Sequence, residues 1–407
     1  MRNTTELFGH RDYTLLWITL LAGGIGSWLR ILGTAQWLLD DTDSAWLVGA
    51  IGLVQLVVQT PTLLWAGTLA DRVDRKRLIT IANGLTAASL LALGILHLTG
   101  QLTPVWVYLG IALTAMSQVL ANPARAALVP MVVPERLLLP AASMDTASHN
   151  AAAIIGPLSF AAIATAFGLD AVFLVGGGMF VVASLMPLMV RVSGHAEGHA
   201  ANAPQSTWRQ TREGLGYVAK HPILPGLFLL DGGITVVSFY RDILPVLALG
   251  LFAGGATATG LLGAANSLGA LVGSFAALFF IGYKAKGMLV LYASIIYAVF
   301  LLGFGLANSL WIGLVMIALL GGADAVTVAV RNTTVMLTTP DHMRGRAFSL
   351  MYLAASSANN IGTLWVGFWA GVIGAVDTLL LGAVLAILAT AAIGVWWQPI
   401  RMFRSDE

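Results

Sequence analysis

Two aspartates, Asp231 and Asp324, stand in runs of the chain that are otherwise almost wholly apolar. A carboxyl group can bind and release a proton. Within a membrane an ionisable side chain costs about 2.5–3.5 kcal/mol to insert, so its presence there points to function. A third acid, Asp242, has Arg241 beside it and Pro245 close behind, in the stretch VVSFYRDILPVLA. Arg30 also falls inside an apolar run. The chemistry open to these residues is proton exchange at the carboxylates. At Arg30 it is the binding of an anionic group, or pairing with an acid. Asp231 and Asp324 can equally be read as structural carboxylates, bonded to backbone or paired with an arginine.

The elements that must position them follow from composition. The 407 residues are 58% hydrophobic and 10% charged, with a mean hydropathy of +0.84. Soluble chains carry about 25% charged residues. Twelve runs approach the ~20 residues that cross a bilayer as a helix: 13–38, 46–69, 78–98, 104–123, 142–167, 171–190, 223–248, 257–281, 288–306, 309–329, 347–373 and 378–397. No alternating barrel pattern occurs, so the chain reads as an all-α polytopic membrane protein. The first run is too long for a cleaved signal and reads as a retained helix.

Basic residues set the orientation. With both termini inside, the cytoplasmic segments hold every Lys and Arg except Arg30 and Arg241, whereas the outer loops carry Asp40, Asp41, Asp43, Asp170 and Asp377. This is the positive-inside pattern. The basic residues flank membrane helices and imply no nucleic acid. No Walker sequence or strand–turn–helix context is present, which excludes a nucleotide site. No nucleophile–His–acid grouping stands out, so the chain reads as no enzyme, and nothing implies a cofactor. With no cysteine there is no disulfide or thiolate metal site. His195 and His199 read as linker histidines rather than metal ligands.

At an offset of 206 residues the chain resembles itself. Gly26 falls on Gly232, Gly67 on Gly273, Arg125 on Arg331, Pro134 on Pro340, Gly156 on Gly362 and Gly168 on Gly374. Two pseudo-symmetric six-helix halves follow, 1–190 and 223–407, in parallel orientation. Between them, 191–222 is a cytoplasmic linker. Its second part would form an amphipathic helix at the membrane surface, with Trp208, Leu215 and Val218 on one side.

The loop after the second span, GTLADRVDRKR, resembles the signature of the major facilitator superfamily: Gly67, Asp71, Arg72, Arg75 and Lys76 match, and Asp74 stands where many members have Gly. The segments NPARAALVPMVVPERLLLPAASM, GATATGLLGAANSLGALVGS and PDHMRGRAFSL look like the twelve-helix branch of macrolide and siderophore exporters. The resemblance implies the major facilitator fold, with spans 1, 4, 7 and 10 around a central cavity and the signature loop as a conformational lock against the second half. Two departures stand out. Span 5 keeps only Gly156-Pro157 of an antiporter motif, and span 1 has Gly26-Ser27 where many relatives have Gly-Asp.

The resemblance implies a secondary transporter that exports an amphipathic small molecule, drug or siderophore-like, in exchange for protons by alternating access. The alternative is an uncoupled facilitator or a lipid or organic-anion translocator of the same fold. Asp231 lies eight residues into span 7, about 12 Å, and Asp324 seven residues outward of Arg331. The two would occupy similar depths and are the proton-coupling candidates. Cavity candidates are Arg30, Trp28, Gln36, Gln55, Asn122, His149, Tyr240, Asn266 and Asn359. Arg241, Asp242 and Pro245 read as an outer gate, Pro245 supplying a kink. Arg125 and Arg331 read as inner-end anchors or inter-half salt bridges. The expected setting is the cytoplasmic membrane of a prokaryote, multi-pass, as a monomer among lipids.

Overall fold

A computed structural model describes residues 2–194, 207–280 and 282–404; within them the side chains of 2–5, 64–72, 207–211 and 342 are not described. His195, His199 and the side chains of Gly67, Asp71, Arg72 and Trp208 thus lie outside the described residues. Apolar runs with no water to satisfy their backbone must bond internally, and they fold as helices. In order these are α1 (Arg2–Gly9), α2 (Arg11–Thr42), α3 (Ala45–Arg72), α4 (Arg75–Leu98), α5 (Pro104–Val132) and α6 (Leu138–Leu185). There follow α7 (Thr207–Lys220), α8 (Leu224–Ser238), α9 (Leu244–Phe252), α10 (Ala256–Ala276) and α11 (Lys286–Gly305). The chain closes with α12 (Leu310–Thr338), α13 (Asp341–Ile373), α14 (Ala375–Trp396) and α15 (Gln398–Met402).

Among the described residues ten segments are long and apolar enough to cross a membrane. One, Glu135–Met189, has 55 residues and turns at Gly168. It therefore holds two crossings, and with α13 the arrangement is consistent with twelve. Gly168 (φ 88°, ψ 175°) has a counterpart at Gly374 (φ 86°, ψ 163°). These are the two glycines that the 206-residue offset superimposes. A side chain in that region of backbone space costs about 1–3 kcal/mol. Gly168→Ala and Gly374→Ala are each expected to lower thermal stability in detergent by that order, with an unchanged midpoint counting against the assignment.

The chain divides into two compact units, Met1–Asp41 with Val54–Pro204, and Thr42–Leu53 with Gln205–Glu407. In the first, Tyr13, Leu16, Ile79, Leu128 and Leu137 form a fully buried cluster. In the second, α10 and α12 approach through small residues. A Cβ on Gly269 would overlap the Ala318 carbonyl, and one on Gly273 the Gly322 carbonyl. Close backbone approach of this kind, with four-residue spacing on both helices, is how membrane helices gain packing without a hydrophobic driving force. Also within the second unit, Gly49 packs on Gly367.

The seventh crossing departs from the sequence expectation. It is broken at Phe239–Tyr240, continues as a 3-10 turn over Arg241–Ile243, and resumes as α9. Pro245 sits in the first turn of α9, where a missing N–H costs nothing. The kink is therefore a break five or six residues before Pro245 rather than a bend at it.

The linker helix α7 packs within the second unit. Val218 is buried in a cluster with Leu224, Val335 and Leu350, whereas Leu215 is exposed. Arg346 reaches Glu213 at 2.9 Å, and Tyr217 Oη donates to the Thr338 carbonyl at 3.4 Å. The helix is thus pinned to α12 and α13, with Val218 packed and Leu215 left exposed.

Candidate functional site

In the second unit a small, partly open cavity lies between α8, α11 and α12. Its apolar wall is Leu227, Leu230, Ile234 and Val290; its polar wall is Asp231, Thr235, Ser294, Tyr297, Asp324, Thr327 and Arg331. An apolar pocket with a few convergent polar groups is the usual form of a small-molecule or ion site. Asp231 and Arg331 form an ion pair. They meet because each lies seven residues from one end of its helix, 224 to 231 on α8 and 331 to 338 on α12.

Arg331 lies seven residues before the end of α12 at Thr338, and Arg125 seven residues before the end of α5 at Val132. Asp324 is midway along α12, about 10 Å along that helix from Arg331. Its side chain is nevertheless exposed, which at that depth requires a polar cavity rather than lipid.

The repeat-related arginines are both paired within their own units, but with acids that are not repeat-related. Arg125 Nη1 meets Asp145 Oδ2 at 2.8 Å, from α6, and Tyr13 Oη donates to Asp145 Oδ1 at 3.3 Å. Arg331 instead meets Asp231 from α8. The first pair is held by a third group; the second borders a cavity.

Further polar packing adjoins the cavity. Asn266 Nδ2 donates to Tyr240 Oη at 2.5 Å and to the Ile317 carbonyl at 3.3 Å. Ser238 Oγ and Tyr297 Oη are 3.1 Å apart. Arg241 is exposed, 6.0 Å from the centre of the Phe239 ring. Asp242 is buried, 3.5 Å from Thr363 Oγ1, whose single proton is shared with the nearer backbone carbonyl of Asn359 at 3.1 Å.

The other sequence candidates fall in the first unit and not in this cavity. Trp28 packs against Gly156, where a Cβ would overlap the indole. Arg30 and Gln55 are buried, Asn122 and His149 exposed, and Gln36 Nε2 donates to Asp40 at 2.8 Å. Ser27 Oγ accepts from Gln118 Nε2 at 2.6 Å, a neutral bond where the resemblance would have an acid. In the signature loop, Asp74 caps α4 through the N–H groups of Lys76 and Arg77. Arg75 reaches the Ala127 carbonyl at 3.3 Å, and Lys76 the Val190 carbonyl at 3.1 Å. These cations thus serve helix ends of their own unit.

Sequence reasoning missed Thr235, Ser294, Tyr297 and Thr327. A faint signal existed: Val290, Ser294 and Tyr297 follow the four- and three-residue spacing of one helix face. Among the described residues there is no cluster of three or more metal-ligating side chains.

At the entry to α8, His221 Nδ1 accepts from the N–H groups of Ile223 and Leu224, both at 3.2 Å. Burial lowers the His221 pKa, with the Thr338 carbonyl acting the other way. A protonated Nδ1 cannot accept, so the native state prefers the neutral ring. That contribution to stability is full above the ordinary histidine value of about 6.5 and is lost as pH falls below it. Thermal stability of the wild type should drop more steeply below about pH 6.5 than that of His221→Asn, which keeps an acceptor. Equal slopes would contradict the capping role.

A family model described as transmembrane secretion effector matches residues 5–406. The enterobactin exporter EntS of Citrobacter koseri is 25% identical over 332 residues, spanning 80% of this chain and 77% of that one. The enterobactin exporter EntS of Shigella boydii serotype 4 is 26% identical over 333 residues, with the same two shares. Among solved structures, an inward-facing bacterial homologue of the human lysosomal transporter Spinster aligns with a TM-score of 0.72 at 14% identity, over 98% of this chain and 99% of that one. The nucleoside transporter NupG aligns with a TM-score of 0.72 at 15% identity, over 95% and 98%.

Proposed function

The chain belongs to the transmembrane secretion effector family of the major facilitator superfamily, and from that premise we propose that it exports a siderophore-like amphipathic molecule in exchange for protons. It is a multi-pass membrane transporter and not an enzyme. The observation that carries the coupling is the cavity of the second unit, which Asp231, Asp324 and Arg331 line together. A protonatable carboxyl beside a fixed cation gives two charge states that an alternating-access cycle can bias. The basic residues of the loops support a reading with both termini in the cytoplasm of a prokaryote.

The neutral Ser27–Gln118 bond favours placing coupling wholly in the second unit, since the first-span acid of many relatives is missing. The same bond is the specific support for the uncoupled reading. Reconstituted into proteoliposomes, the protein should move enterobactin, taken as the test solute, several-fold faster under an imposed proton gradient, the order of a 1 kcal/mol bias. Transport that ignores the gradient would establish the uncoupled reading instead.

A further inference from the structure

Beside Arg331 Nη1, which faces Asp231 as an ion pair, two polar atoms on the wall of the α8–α11–α12 cavity carry no hydrogen bond among the described residues, Ser294 Oγ and Arg331 Nε. Ser294 is 1% and Arg331 6% exposed. Buried polar groups are satisfied in the great majority of cases, by protein or by ordered water, and buried waters bridge two to four such groups in polar, roomy sites. Arg331 Nε can only donate, so what satisfies it must offer an acceptor oxygen. Asp231 and Asp324 as carboxylates can only accept, so the same occupant must also donate. Water meets both demands, and the two orphan atoms lie on one cavity with both carboxylates.

We infer that this cavity holds a water-mediated proton relay, internal to the second unit, in which Ser294 and Tyr297 of α11 link Asp231 to Asp324. The inference rests on the proton-coupled reading but adds the path and its members. Asp324 is the accessible end: its side chain is exposed, whereas that of Asp231 keeps 19% exposure while paired with Arg331. A proton arriving on Asp324 makes it the neutral acid. Its onward transfer passes through hydroxyls that each accept one proton and donate another, so Ser294 and Tyr297 end neutral as they began. Asp231 receives the proton, which returns Asp324 to the carboxylate, neutralises Asp231 and leaves the Arg331 charge. Tyr297 suits the task because Ser238 Oγ, at 3.1 Å, fixes its hydroxyl in place. On the far side of Asp324, Arg241 supplies the next charge, and Asn266 with Tyr240 the next neutral pair.

The test is a pH jump on purified full-length protein, followed by infrared difference spectroscopy of the carboxyl C=O stretch. The Asp231 band is identified by its loss in Asp231→Asn. In Tyr297→Phe and in Ser294→Val, which fills the water position, the band should appear about tenfold more slowly or less, at the low end of what a positioned proton-transfer group contributes. Ser294→Thr, which keeps the hydroxyl, should restore the wild-type rate. Unchanged kinetics in Tyr297→Phe and Ser294→Val would overturn the relay. So would slowing in all three variants with matching loss of thermal stability, which marks a packing effect. This readout needs no transported solute, so the relay and the export reading fail separately: wild-type vesicles indifferent to a proton gradient would remove only the second.

Discussion

Asp324→Asn is expected to abolish gradient-driven export while leaving solute exchange at equal pH close to wild type. The side chain sits midway along α12, exposed to a polar cavity, at a depth where an idle carboxyl would be an unrewarded insertion cost of about 2.5–3.5 kcal/mol. Asparagine keeps the shape and one acceptor oxygen but cannot take up a proton. The change therefore removes the coupling step without removing a packed side chain. The driven rate should fall about a hundredfold, whereas exchange, in which the carrier returns loaded, need not pass through the proton-bound state. Parallel assays in proteoliposomes, with and without a proton gradient, decide the matter. Equal loss in both would make Asp324 a structural or solute-binding group. Retention of driven transport would remove it from the coupling path.

Much of the fold is legible in the sequence because lipid leaves the backbone few choices. The crossing at 78–98 corresponds to α4, Arg75–Leu98, and that at 288–306 to α11, Lys286–Gly305. The duplication is legible down to one backbone conformation, since Gly168 and Gly374 are matched by offset and share a positive φ. The interrupted seventh crossing is not legible. Pro245 is its visible breaker, yet a proline tolerated in a first turn says where a helix may begin, not where the previous one stops. The site is half legible. Charges in apolar runs single out Asp231 and Asp324, but pairing depends on how α8 and α12 are rotated about their axes, which one chain does not specify. One clue lay in the offset itself. Position 231 maps back onto Ile25 and position 145 forward onto Met351, so the two arginines had to find unrelated partners. Ser294 and Tyr297 escape notice because hydroxyls are ordinary in membrane helices and carry no insertion penalty comparable to a charge.

That asymmetry yields the second strong expectation, a sharp difference between the two halves of one ion pair. Asp231→Ala should be the more destabilising change and Arg331→Ala the milder one, with the double variant Asp231→Ala/Arg331→Ala closer to wild type than Asp231→Ala alone. Removing the acid strands a guanidinium that is 6% exposed and cannot lose its charge at neutral pH. Breaking a buried pair in this way costs about 3–5 kcal/mol, whereas removing both members is often near neutral. Because Asp231 keeps 19% of its side chain accessible, the lower figure applies. Removing the arginine is milder for the same reason: an accessible carboxylate can take a proton or a water. Thermal unfolding of the three variants forms a double-mutant cycle, and a coupling of about 1–3 kcal/mol is expected for groups in contact. Additive effects would show that the two charges do not depend on each other. At Arg125–Asp145 the same cycle should return a smaller coupling for that pair, because Tyr13 Oη remains on Asp145 when Arg125 is removed and both members are more accessible, at 22% and 21%. A pair held by a third group resists separation by a proton; a pair held only by its own attraction, beside a cavity, does not. The structural duplication thus leaves one arginine as a brace and the other as the element a proton can release.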